Sequence, residues 1–238
     1  MADLDRIKAL TFDVGGTVFD WHSTIRDELT RLAAERGVEV DAPQFTNEWR
    51  FGMFQHLGRV RSGELPWMNA DALHRMALDD AAKNHPALEM SEADRDDLNT
   101  IWHRLNIWPD FPDALEALRS RYTVVVLTVL SWSIVVDSSK LHGLSWDGIL
   151  SCEFLGHYKP DRDAYLEGAR TLGVAPDEAM MVAAHPTDLR AAMEAGFASA
   201  YVPRPGERGE GNDADLSPPD DIDVNATDFA DLVRQLVG

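Results

Sequence analysis

Hydrophobic residues along this chain fall into two kinds of run. Short ones, at residues 7–12, 122–127 and 180–184, are rich in Val, Ile, Leu and Met with little polar alternation, the pattern of strands covered on both faces of a parallel sheet. Weaker strand signals stand at 149–150 and 198–202. The other kind repeats at helical spacing. Ile25, Leu29 and Leu32 predict a helix over 23–36, and Trp49, Met53 and Leu57 predict one over 45–60. Further helices are predicted at 70–82, from a capping box at Ser91 and Asp94 through Leu98 and Trp102, and at 113–120, 133–141, 161–172, 189–195 and 227–236. Residues 203–223, rich in Pro, Gly and Asp, read as loop.

The order of these elements carries the fold. One strand comes first, then helices with almost no strand signal until residue 109, then regular alternation of helix and strand from Phe111. That order predicts an α/β protein: a doubly wound, mainly parallel sheet formed by residues 1–20 and 110–238, with an α-helical cap inserted at 21–109.

Parallel sheets present their chemistry at the carboxyl ends of the strands. The first strand ends on Asp13 and breaks at once into Gly15-Gly16-Thr17; the second ends at Thr128, Lys159 follows the third, and Asp188 follows the strand at 180–184. An ionised aspartate held by a cation is a nucleophile able to form a covalent ester. Lys159 would keep Asp13 ionised, Thr128 would donate to a negative group of the substrate, and Asp188 would hold Lys159 or orient a water.

Composition excludes several classes. With 41 acidic against 22 basic residues the formal charge is −19, which speaks against nucleic acid and anionic membrane surfaces as partners. Only Lys8, Lys83, Lys140 and Lys159 are lysines; an acidic, lysine-poor surface suits concentrated salt and equally a high-GC genome. No apolar stretch is long enough for a membrane span, and the N-terminal residues show no signal core. The lone Cys152 fits a reducing, cytoplasmic setting.

Phe12-Asp13-Val14-Gly15-Gly16-Thr17, Leu127-Thr128, Tyr158-Lys159-Pro160 and the late Asp188 resemble the four motifs of the haloacid dehalogenase superfamily. Finer stretches resemble its 2-haloacid dehalogenase (type II) branch: 19–23, Trp49-Arg50, 65–67, 144–147 and Ala183-Ala184-His185. The likeness runs from residue 7 to about residue 207. It implies a Rossmann-like core and a hydrolytic dehalogenase needing no metal or other cofactor. Asp13 would attack C2 of a small 2-haloalkanoate, expel halide and form an ester that water then opens to a 2-hydroxy acid. Arg50 would receive the halide, and Thr128 with backbone N–H groups of the Asp13 turn would take the substrate carboxylate. Val14, Gly15, Thr17, Trp49, Val129, Trp132, Tyr165 and His185 would form the pocket. A homodimer through the cap follows by the same analogy.

Two positions depart from the branch. Gly15 stands where a bulky aromatic is common, an expectation of a wider pocket or a looser substrate alignment, and Val129 where Asn usually follows the Ser/Thr. Phosphatases of the superfamily carry a second Asp two residues after the nucleophile, beside Mg²⁺; here that residue is Gly15, so the proton donor is missing. A Mg²⁺-dependent phosphohydrolase or phosphonate hydrolase, and a non-catalytic binding protein on the same scaffold, stay as alternatives.

Overall fold

The computed structural model describes residues 3–212 and 216–238; the expected loop at 203–223 therefore has its residues 213–215 outside the described part. Six strands form one parallel sheet: β1 Ala9–Phe12, β4 Thr123–Thr128, β5 Gly148–Ser151, β6 Ala179–Ala183, β7 Ala198–Tyr201 and β8 Val224–Asn225, ordered β5-β4-β1-β6-β7-β8. All four residues of β1 and all five of β6 are buried, as strands covered on both faces must be. Strand β1 lies centrally, paired with β4 and β6 on either side, and the chain order reverses there. This is the crevice where such sheets bind ligands, so Asp13, one residue past β1, opens into it.

Two further strands, β2 Phe19–Asp20 and β3 Asn106–Ile107, pair antiparallel. They stand where the chain leaves the sheet and where it returns. Their two-residue length gives no periodic signal, which is why no strand is legible there in the sequence. Residues of β8 are equally short and pair only with β7.

Between β2 and β3 run α1 Trp21–Arg36, α2 Ala42–Arg61, α3 Ala70–Asn84 and α4 Glu92–Asn99. Helix α1 starts two residues before the predicted position because the Asp20 carboxylate accepts from Ser23 N at 3.0 Å, an N-cap the apolar spacing does not reveal. The capping box forms as expected, with Asp94 N donating to Ser91 Oγ at 3.1 Å and Ser91 N to Asp94 Oδ2 at 2.8 Å. Trp49, Met53, Leu73, Leu78 and Trp102 pack together as the interior of the cap. In the sheet half, α5 Phe111–Arg119, α6 Trp132–Leu141, the one-turn α7 Cys152–Leu155, α8 Arg162–Leu172, α9 Pro186–Glu194 and α10 Phe229–Leu236 cover the strands.

Polar contacts tie the two halves. His103 in the cap stands between Asp71 at 2.6 Å and Asp137 of α6 at 2.7 Å, and Asp71 also accepts from Ser131. Tyr158 donates to the Met68 carbonyl at 2.7 Å. The loop after β7 makes the third tie. Arg204 anchors that loop within the sheet half, to the Thr17 carbonyl at 2.9 Å and Asp110 at 3.0 Å, and Asn47 of α2 reaches it from the cap, donating to the Arg208 carbonyl at 3.0 Å.

Candidate active site

Asp13 leaves β1 where Gly16, at φ +100°, turns the chain back; that left-handed conformation favours glycine, and a Cβ there would also overlap the Glu207 carboxylate. Asp13 is 6% exposed, yet three donors meet its carboxylate, whose open side faces the cavity. Lys159 Nζ donates to Oδ1 at 3.0 Å, Thr17 Oγ1 to Oδ2 at 2.8 Å, and His185 Nδ1 lies 3.3 Å from Oδ2. Burial alone would raise the Asp13 pKa, but Lys159, His185 and Thr17 outweigh it and hold the carboxyl well below the usual carboxylate range. It is therefore a buried, ionised carboxylate, the form in which an aspartate can act as a nucleophile.

Lys159 is held from behind. Its Nζ donates to Asp188 Oδ2 at 2.6 Å, and Tyr165 donates to the other Asp188 oxygen. Burial lowers the ammonium's pKa, but Asp13 and Asp188 more than reverse this, so it stays charged. Thr17 is fixed in turn by accepting from Ala184 N at 3.0 Å.

Across the turn, Arg50 of α2 is 3% exposed and has no carboxylate partner among the described residues. Its guanidinium lies 4.5 Å from the Phe54 ring centroid, 5.4 Å from Trp102 and 5.6 Å from Trp21, with Nη1 only 3.5 Å from His74 Nε2. Burial pulls its pKa down to about 10 despite the carboxylates of Glu207 and Asp13, leaving a charged group walled by aromatic faces and free to receive an anion. His74 beside it is driven well down by burial and by Arg50, so it is neutral and adds no competing charge.

Asp13, Arg50, Phe54, Lys159, His185 and Glu207 face one cavity of about 660 Å³, with Gly15, Val129 and Asp188 also on its wall. Other expected pocket residues lie elsewhere. Thr128 is fully buried outside the cavity, and its Oγ1 accepts from Leu130 N at 3.1 Å, closing the turn after β4. Trp49 sits inside the cap, donating to the His74 carbonyl at 2.7 Å, and Trp132 is 46% exposed at the start of α6. Tyr165 stands beneath Asp188, Thr17 beneath Asp13, and Val14 is buried in the turn, its carbonyl accepting from Phe19 N at 2.8 Å. Two amides of the turn are already used, Asp13 N on Val182 and Gly16 N on Phe19, each at 3.0 Å. Gly15 lines the cavity with Arg50 close over it, a Cβ there falling 2.9 Å from the guanidinium's Nη2.

Glu207 carries no signal in the sequence, since it sits in the Pro- and Gly-rich loop with no periodic element before it. Its carboxylate meets His185 Nε2 at 2.9 Å and Trp21 Nε1 at 3.2 Å.

The haloacid dehalogenase-like hydrolase family model matches residues 7–196, and the chain belongs to that family. Within it the chain is similar to several 2-haloacid dehalogenases, and also to a glyceraldehyde 3-phosphate phosphatase of Methanopyrus kandleri, 27% identical over 97% of this chain and 98% of the relative. It is 29% identical over 214 residues to (S)-2-haloacid dehalogenase 4A of Burkholderia cepacia, covering 85% of this chain and 86% of the relative. The crystal structure of the L-2-haloacid dehalogenase PA0810 is 37% identical and superposes with a TM-score of 0.91, over 97% of this chain and 99% of that one. A defluorinating L-2-haloacid dehalogenase, Rha0230, is 35% identical with a TM-score of 0.92, over 98% and 96%.

Proposed function

We propose that this protein is a hydrolytic 2-haloacid dehalogenase, acting on small 2-haloalkanoates through an ester of Asp13. The observation that carries the reading is the pairing of an ionised, buried Asp13 with a buried Arg50 that lacks an anion, on either side of one glycine turn. Asp13 attacks C2 from the face opposite the halogen, the carbon–halogen bond breaks, and the halide develops its charge against Arg50, where water is scarce. Back-side attack inverts the carbon. The Val14 and Gly15 N–H groups, which have no carbonyl partner among the described residues, take the substrate carboxylate. Water then attacks the Asp13 carbonyl carbon and releases the 2-hydroxy acid. The similar enzymes are named for the L or S substrate, and this chain is read as sharing that preference.

Three cationic side chains, Lys159, His185 and Arg50, surround Asp13, and Gly15 supplies no second carboxylate. That surrounding favours an organic anion over a divalent cation, so the phosphohydrolase alternative has no support in the site. We assign the sheet half to residues 1–20 and 110–238 and the cap to 21–109, supported by the β2–β3 pair at the crossings. A cytoplasmic setting accords with the single, buried thiol of Cys152.

The test is halide release from both enantiomers of 2-chloropropionate with a chelator present. Release from the S enantiomer, giving 2-hydroxypropionate of inverted configuration and lost in Asp13→Asn, is expected. No release from folded protein, or release abolished by the chelator, would reject the reading.

A further inference from the structure

On the side of Asp13 away from Lys159 stands a second pair. His185 Nδ1 lies 3.3 Å from Asp13 Oδ2, and His185 Nε2 lies 2.9 and 3.0 Å from the two oxygens of Glu207. Glu207 is fixed by Trp21 Nε1 at 3.2 Å, its side chain is 14% exposed, and it rests on the backbone of Gly16, where even a Cβ would overlap it. The arrangement is a linear carboxylate–imidazole–carboxylate array ending on the nucleophile. Asp188, the other acid near Asp13, has both oxygens engaged, one by Lys159 and one by Tyr165.

We propose that His185 is the general base that hydrolyses the Asp13 ester, with Glu207 as the positioning residue that holds its ring. This rests on the dehalogenase reading and adds to it the group that drives the second half of the reaction.

The charges around the ring explain when it acts. Facing His185 are Asp13 from the end of β1 and Glu207 from the loop, with Lys159 before α8, Asp188 in α9 and Arg50 in α2 around the same cavity. Burial lowers the imidazole pKa, but Glu207 and Asp13 together raise it to about 10, so in the resting site it is an imidazolium that orients Asp13. Esterification turns Asp13 neutral and removes one of those two anions. The imidazolium proton then leaves to solvent with the expelled halide. Neutral Nδ1 takes a proton from a water whose oxygen bonds to the Asp13 carbonyl carbon. As the tetrahedral centre collapses, the bond from that carbon to the substrate oxygen breaks, and the same proton passes from His185 to the leaving alkoxide. The remaining water proton, on the regenerated Asp13 carboxyl, moves to His185 and restores the resting pair. One water is consumed and one hydrogen halide released per turnover.

The experiment compares a single turnover with steady state, using excess substrate, S-2-chloropropionate, on wild type, His185→Asn and Glu207→Gln. In His185→Asn we expect a burst of about one halide per protein at a rate within about tenfold of wild type. Steady-state release then falls on the order of 10²–10³-fold, the worth of a general base. The ester should accumulate on Asp13, seen by intact mass and peptide mapping. In Glu207→Gln, which keeps a hydrogen-bonding partner but not the charge, the ester hydrolysis limb of the pH profile should move to lower pH because the imidazole loses its anion; a purely structural role would not move it. Steady-state turnover at the wild-type rate in His185→Asn would overturn the proposal. So would equal slowing of burst and steady state, which would put His185 in the displacement step. If His185→Asn does not fold, the ester trapped or absent in Glu207→Gln, together with its pH limb, decides. Absence of halide release from wild type would reject the dehalogenase reading instead.

Discussion

Gly15→Ala is the smallest change that tests where the halide goes. Gly15 is not among the residues at positive φ, so alanine is tolerated by the backbone. Its Cβ would stand 2.9 Å from Arg50 Nη2, with Leu130 at 3.6 Å on the other side. Ordinary contact requires roughly half an ångström more, and the guanidinium is the part that must retreat. It is hemmed in by Trp21, Phe54 and Trp102, so it retreats away from the reacting carbon. Misplacing a reacting group by about 1 Å costs on the order of 100-fold, so half that distance should lower the rate of carbon–halogen cleavage about tenfold, or about 1.4 kcal/mol of barrier. Stability should change by less than about 1 kcal/mol, because alanine's lower unfolded-state entropy offsets part of the strain. The assay is single-turnover halide release from the chloro, bromo and iodo acids, with urea unfolding run in parallel. The loss should be greatest for chloride, the poorest leaving group of the three. Wild-type rates for all three, in a variant of wild-type stability, would refute Arg50 as the halide's acceptor at this place.

Two further changes read the electrostatics. Lys159→Ala leaves Asp13 and Asp188 buried without their shared cation, at side-chain exposures of 8% and 12%; urea unfolding at neutral pH should show a loss of about 3–5 kcal/mol, shrinking toward acid as Asp13 protonates. His103 bridges the cap and α6, and hydrogen bonding to Asp71, opposed by burial and aided by Asp137, raises its pKa above the unfolded value of 6.5. Because the folded pKa is the higher one, that stabilisation is complete below pH 6.5 and fades as pH rises through the folded value. His103→Gln should remove this decline from the stability–pH curve; an unchanged curve would mean the bridge contributes nothing to cap closure.

Much of this was legible in the sequence, for physical reasons. Strands buried on both faces write continuous apolar runs, and Asp13, Lys159 and Asp188 each stand in the segment after a strand, which marks the three as meeting at one sheet edge. Arg50 was legible only through its resemblance to a family motif, since nothing in helical spacing marks a buried arginine as an anion receptor. The tryptophans and Tyr165 were misplaced because a large apolar side chain reads the same whether it lines a cavity or packs beneath it; Trp49 turned inward to His74, and Tyr165 inward to Asp188. Thr128 was misread because a strand-end hydroxyl can equally close its own turn. Glu207 was invisible: it reaches the site by the path of a loop, and loops leave no period to read.

The family model ends at residue 196, and Glu207 lies beyond it, on the segment that also meets the cap where Asn47 donates to the Arg208 carbonyl. The reaction chamber thus has two heritable parts. Asp13 follows directly on β1, whose every side chain is buried, and Lys159 is itself buried against it, so change there is costly. The partner of His185 sits on the loop after β7, outside every strand pairing. On the proposed mechanism, a substitution at Glu207 changes the hydrolysis of the ester and leaves the displacement step alone, and a comparison limited to residues 7–196 would not see it.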